Sequence, residues 1–212
     1  MARPLSQRLP KAFIGALALV PLVRLGWLFY RNALGANPIA EALNQLGLWA
    51  LIILLSSLAC TPIKVVTGWN WPLRLRRLLG LEAFFYACLH FTMYVAVDQS
   101  FDFGEIWKDI IKRQFMTIGF AAFVLLVPLA VTSTNKMVKR LGFPRWKALH
   151  RLAYLAAALA VVHFIWRVKA DKREPLIYAF VLAVLLAVRV IDWLRQPRGG
   201  ARVASRAGVQ RS

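Results

Sequence analysis

Residues 147–166 read KALHRLAYLAAALAVVHFIW, and residues 79–97 read LGLEAFFYACLHFTMYVAV. Both stretches are largely apolar; the first carries His150 near its start and His163 in its apolar run, and the second carries His90. Neither alternates apolar with polar, so neither reads as a strand of a membrane barrel. As a helix rising 1.5 Å per residue, each is long enough to cross a hydrocarbon core of about 30 Å. Four further stretches of the same kind lie at 12–30, 41–60, 115–132 and 175–194. Pro21 and Pro128 interrupt two of the six, which kinks a membrane helix without excluding it. The chain is 59% hydrophobic with a mean hydropathy of +0.56, whereas soluble domains are nearer half apolar. The expected fold is an all-α membrane protein, a six-transmembrane-helix bundle over residues 1–195, with a disordered basic tail over 196–212.

The net charge of +19 at first suggests nucleic acid, but its placement argues for topology. Residues 1–11, 61–78, 133–151 and 195–212 together hold 18 Lys or Arg and no Asp or Glu. The alternate connections, 31–41, 98–114 and 166–175, hold 8 basic against 7 acidic residues. This positive-inside pattern places both termini in the cytoplasm, in a multi-pass protein of the bacterial inner membrane, and leaves no call on nucleic acid as a partner. The basic face favours anionic lipid. The first apolar run is long for a signal peptide and five more follow, so it is expected to stay as the first helix. Thr61-Pro62 is expected to stop the second helix, and Thr132-Ser133-Thr134-Asn135 to close the fourth with polar side chains that satisfy its last carbonyls. Cys60 and Cys88 lie at different depths and read as small packing residues, not as a disulfide.

The chain has three histidines, and an ionisable ring in hydrocarbon is expensive unless a partner compensates it. With the third and fifth helices both running outwards, His90 lies about 16 Å and His163 about 24 Å from the cytoplasmic side. Two histidines in the outer half, on different helices, have the placement of axial ligands to a membrane haem b. The bland reading is a pair of histidines each hydrogen-bonded across helices; a zinc site lacks companion carboxylates or cysteines. His150 lies near the cytoplasmic boundary and 13 residues before His163, about 20 Å of helix rise, so the two do not share a metal. His150 either serves a second haem, a flavin or a quinone, or is an ordinary interfacial residue. Arg24, inside the first helix, either snorkels to the surface or pairs with a buried anion such as a haem propionate. Glu82 reads as a neutralising partner for a loop arginine. No G-x-G-x-x-G, Walker A loop or nucleotide-binding βαβ unit occurs, so electrons from NAD(P)H would have to arrive through a partner.

Arg76-Arg77-Leu78-Leu79-Gly80-Leu81 leading into Ala87-Cys88-Leu89-His90-Phe91, and Trp146-Lys147-Ala148-Leu149-His150-Arg151-Leu152-Ala153-Tyr154 followed by His163, resemble signatures of one family. Cys60-Thr61-Pro62 and Thr132–Asn135 fit it as well. The chain resembles the MsrQ (YedZ) family of the ferric-reductase-like transmembrane group over roughly residues 10–195. That resemblance implies a six-helix inner-membrane cytochrome with b-type haem, one or two per chain, on His90, His163 and His150. It further implies an electron-transfer subunit, not a complete enzyme, that passes electrons to a periplasmic molybdopterin-containing methionine sulfoxide reductase for repair of oxidised methionine. Quinol or a cytoplasmic flavin reductase is the implied donor, and FMN is associated with the family. Arg167, Lys169, Lys172 and Arg173 make the last outer connection basic, which suits an acidic patch on the acceptor. The competing classes are a self-sufficient ferric reductase, which needs a fused flavin and nicotinamide domain, and a haem-free transporter or membrane scaffold.

Overall fold

The computed structural model describes residues 5–195. The basic tail expected over 196–212 lies outside the described residues. Among the described residues nine α-helices follow one another: α1 Leu5–Tyr30, α2 Pro38–Thr67, α3 Arg76–Met93, α4 Phe103–Lys112, α5 Gln114–Val131, α6 Asn135–Leu141, α7 Phe143–Leu149, α8 Leu152–Arg167 and α9 Arg173–Arg195. A π-helical turn, Tyr94–Asp98, continues α3. Six segments are long and apolar enough to span a membrane, and they fall on the six expected stretches. α7 and α8 together form the fifth.

The bundle is built from two tight helix pairs, α2 with α3 and α5 with α8. α2 is the axis of the molecule: half of its most apolar window is buried inside the protein, against 6–17% for the other spans. α1 leans on α2 and α3, and α9 on α2 and α8. Their outer faces are large and apolar; Phe13 and Val23 are each 71% exposed and Phe180 70%. Water would penalise such surfaces, whereas lipid solvates them, and packing is reserved for the seams. Small side chains sit in those seams: Ala83, Ala156 and Ala157 are fully buried, so the backbones approach closely.

Two expectations need correction. Thr61-Pro62 does not stop the second helix, which runs through Pro62 to Thr67 and ends at Gly68 in the left-handed conformation, φ 76°. Proline removes the N–H that would have bonded the carbonyl of Leu58. That carbonyl instead accepts from Nη2 of Arg189 on α9 at 2.6 Å, so the helix continues without an orphaned acceptor. Glu82 does not neutralise a loop arginine. Its Oε1 lies where a side chain on Gly15 of α1 would come within 3.2 Å, and its Oε2 is buried without a hydrogen-bond partner.

The connection 98–114 contains a helix that its charge pattern concealed. Asp102 caps α4 by accepting from the Glu105 amide at 3.0 Å. Phe103, Trp107 and Ile111, at helical spacing, are 61–70% exposed, while Ile106 beside that stripe is buried. An exposed apolar stripe of this kind suits a helix lying along a membrane surface with one face in lipid. The polar end of α5 behaves as expected: Thr132 Oγ1 donates to the Pro128 carbonyl at 2.6 Å and Ser133 Oγ to that of Leu129 at 2.7 Å.

Candidate functional site

His90 and His163 line one cavity of about 310 Å³ between the two helix pairs, at the end of the bundle away from the basic connections. Their ring centres are 6.4 Å apart, with the planes 79° to each other. His90 Nδ1 is 2.9 Å from the Leu43 carbonyl of α2, and His163 Nδ1 is 2.6 Å from the Phe115 carbonyl of α5. A carbonyl can only accept, so in both rings Nδ1 carries the hydrogen and the neutral ring keeps its lone pair on Nε2. This is how a metal-binding imidazole is oriented from behind.

The same device occurs twice. Each ring bonds a carbonyl 47 or 48 residues earlier in the chain and lies over the glycine one turn further along that helix, Gly47 for His90 and Gly119 for His163. A Cβ on Gly119 would stand 2.5 Å from His163 Nδ1, and one on Gly47 3.1 Å from His90 Cε1. At Gly119 the ring occupies the space a side chain would need, and at Gly47 it leaves only a tight fit.

Two metal–imidazole bonds of about 2 Å, with the ~1 Å from each nitrogen to its ring centre, give roughly 6 Å between centres. The observed spacing therefore fits one metal held between both rings. Among the described residues no group of three or more His, Cys, Asp or Glu gathers here, so the residues suit a metal that brings its other ligands with it. The cavity wall suits a flat aromatic group: Phe91 stacks on Phe123 at 4.9 Å and meets Phe120 at 5.9 Å, and all three line the space. The π-helical turn brings Tyr94 and Asp98 to the same cavity, and Tyr94 donates to Asp109 of α4 at 3.3 Å.

Of the four residues singled out from the sequence, the structure brings together only His90 and His163. His150 lies outside the cavity at the junction of α7 and α8, with Nε2 3.1 Å from Thr132 Oγ1 and its ring 4.1 Å from that of Trp146. Arg24 is exposed on α1 and does not line the cavity. Gly47, Gly119, Asn44 and Arg167 do line it, and the sequence reading had given none of them a place at a cofactor site. Only Arg167 carried a signal, four residues after His163 and so on the same helix face.

The family model of the ferric reductase like transmembrane component matches residues 44–161, a span that holds His90 and ends just before His163. A protein of Rhodospirillum rubrum is 54% identical over 193 residues, which are 91% of this chain and 93% of that one. One of Herminiimonas arsenicoxydans is 50% identical over 190 residues, 89% and 87% of the two chains. One of Deinococcus radiodurans is 51% identical over 172 residues, 81% and 85%. All three are named protein-methionine-sulfoxide reductase heme-binding subunit MsrQ.

Proposed function

The chain belongs to the MsrQ family of ferric-reductase-like membrane proteins, and from that premise we propose that it is a b-type haem electron-transfer subunit with His90 and His163 as axial ligands. The observation that carries this reading is the matched pair of rings, each with its lone-pair nitrogen directed by a carbonyl behind it and spaced for one iron. An iron porphyrin bound there supplies one-electron chemistry, cycling between ferric and ferrous. His90 and His163 would hold the haem iron between them, and the carbonyls behind them would keep both ligands in one tautomer and orientation. The phenylalanine wall excludes water from the cofactor's face, and the low dielectric reduces reorganisation when charge moves.

The acceptor in this proposal is the periplasmic, molybdopterin-containing methionine sulfoxide reductase catalytic subunit. The pair lies towards the end whose connections carry mixed charge, which the positive-inside rule places outside the inner membrane. The donor is quinol, or reduced flavin from a cytoplasmic flavin reductase, with FMN as its carrier. His150 and Arg24 have no ligand role at the His90–His163 site in this reading.

The test is a reduced-minus-oxidised absorption spectrum of the detergent-purified protein with the haem-to-protein ratio measured alongside. A b-type spectrum with about one haem per chain is expected, lost or altered in both His90→Ala and His163→Ala. A spectrum unchanged in both variants would overturn the ligand assignment. A ratio near two would make His150 a ligand to a second haem.

A further inference from the structure

Arg167 stands one turn beyond His163 on α8, so both side chains face the same cavity. It is half-buried, its Nη1 donates to Oδ1 of Asn44 on α2, and its guanidinium carbon lies 5.6 Å from the centre of the Phe164 ring. Among the described residues no carboxylate comes within 4.0 Å of it; the ion pairs are Lys108–Glu105, Arg113–Asp109 and Arg173–Asp171. Glu41 and Glu174 act on it only from further away. A guanidinium has five N–H donors, and the Asn44 bond uses one. A cation drawn into an apolar cavity without a counter-ion is costly unless an anion arrives with whatever fills the cavity.

The other charges at this mouth are engaged. Arg113 is held by Asp109, Nε to Oδ1 at 3.1 Å, and Asp98 accepts from Gln99 at 2.8 Å. Arg24, the arginine the sequence offered for this task, is on the exposed face of α1.

We infer that Arg167, with the amide of Asn44 beside it, is the seat for a carboxylate on the rim of the cofactor ligated by His90 and His163, which for haem b is a propionate. This rests on the haem reading above. Arg167 is a positioning residue: it sets which edge of the macrocycle faces outwards, and its charge stabilises the ferrous state by offsetting the carboxylate. A guanidinium suits the task because its planar fork meets both carboxylate oxygens.

The test loads full-length wild type, Arg167→Gln, Arg167→Lys and Lys169→Gln with haem or with haem dimethyl ester, whose propionates are masked. Two quantities are read: the midpoint potential by spectroelectrochemical titration, and the rate at which haem passes to excess apomyoglobin. With haem, Arg167→Gln is expected to keep the bis-imidazole spectrum, to titrate at a lower potential, and to release haem about tenfold faster. Arg167→Lys recovers most of the potential, and Lys169→Gln, an exposed cation, changes neither quantity. With the dimethyl ester, wild type and Arg167→Gln release the haem at the same rate, whereas the guanidinium's charge still acts on the potential. The proposal is overturned if Arg167→Gln matches wild type with haem. It is equally overturned if the release rates of the two differ by the same factor with the ester, since the guanidinium would then be answering a lipid phosphate or holding the haem by another contact. Absence of a b-type spectrum in the wild type would instead remove the haem reading itself.

Discussion

At the scale of single residues, the candidate site is built on two histidines whose orientation is set by atoms behind them. The Leu43 and Phe115 carbonyls select the tautomer, and Gly47 and Gly119 make room for the rings. The two glycines are not equivalent, because a methyl at 119 would overlap the His163 ring at 2.5 Å, whereas one at 47 would meet His90 at 3.1 Å, a distance a small shift relieves. Gly119→Ala is therefore expected to lower the haem-to-protein ratio roughly fivefold or more, and Gly47→Ala less than half as much. Pyridine haemochrome assay of both variants checks this, and equal occupancy in the two would refute the argument from space. The histidines were visible in the sequence because an ionisable ring in an apolar run stands out. The glycines were not, since glycine is common in membrane helices for many reasons. Arg24 and Arg167 exchanged importance for a related reason: proximity to a helix end is legible, and the direction a side chain faces is not.

At the scale of elements, α2 shows how a proline is kept inside a central helix. Pro62 frees the Leu58 carbonyl, and Arg189 on α9 fills it while also donating to the Tyr154 hydroxyl, over whose ring it lies at 4.8 Å. Arg189→Met should destabilise the protein by about 1–3 kcal/mol, because a buried acceptor loses its donor. In a Pro62→Ala background the helix supplies its own N–H to Leu58, so the same substitution should cost clearly less. Thermal unfolding in detergent of the four proteins of this cycle measures the coupling; strict additivity would show that the arginine and the proline are unrelated. The expected stop at Thr61-Pro62 failed on this point, since a local rule about proline was overridden by a donor from a helix over a hundred residues away. α4 was missed for the opposite reason: its charges read as a loop, though Phe103, Trp107 and Ile111 repeat at helical spacing.

At the scale of the whole molecule, two helix pairs face each other across the cavity, one bringing His90 and the other His163, so neither half holds the candidate site alone. The charge pattern predicts an orientation for this assembly, with 133–151 inside and 166–175 outside. In a protein with Cys60→Ala and Cys88→Ala, a cysteine at Lys169→Cys should react with a membrane-impermeant thiol reagent added to intact spheroplasts, and one at Lys139→Cys only after lysis. The reverse pattern would invert the proposed direction of electron flow.

The six spans, their lengths, the asymmetry of charge and the two histidines set in apolar helices are legible residue by residue along the chain. Each of these is a sum over residues taken one at a time: transfer to hydrocarbon and the placement of charge depend on local composition. It takes the packed helices to show that the two histidines meet, which nitrogen each turns to the cavity, that glycines stand behind them, and that Arg167 rather than Arg24 faces inwards. Those depend on how each helix is rotated and which neighbour it packs against, and that is set by small residues and polar contacts between segments far apart in the chain.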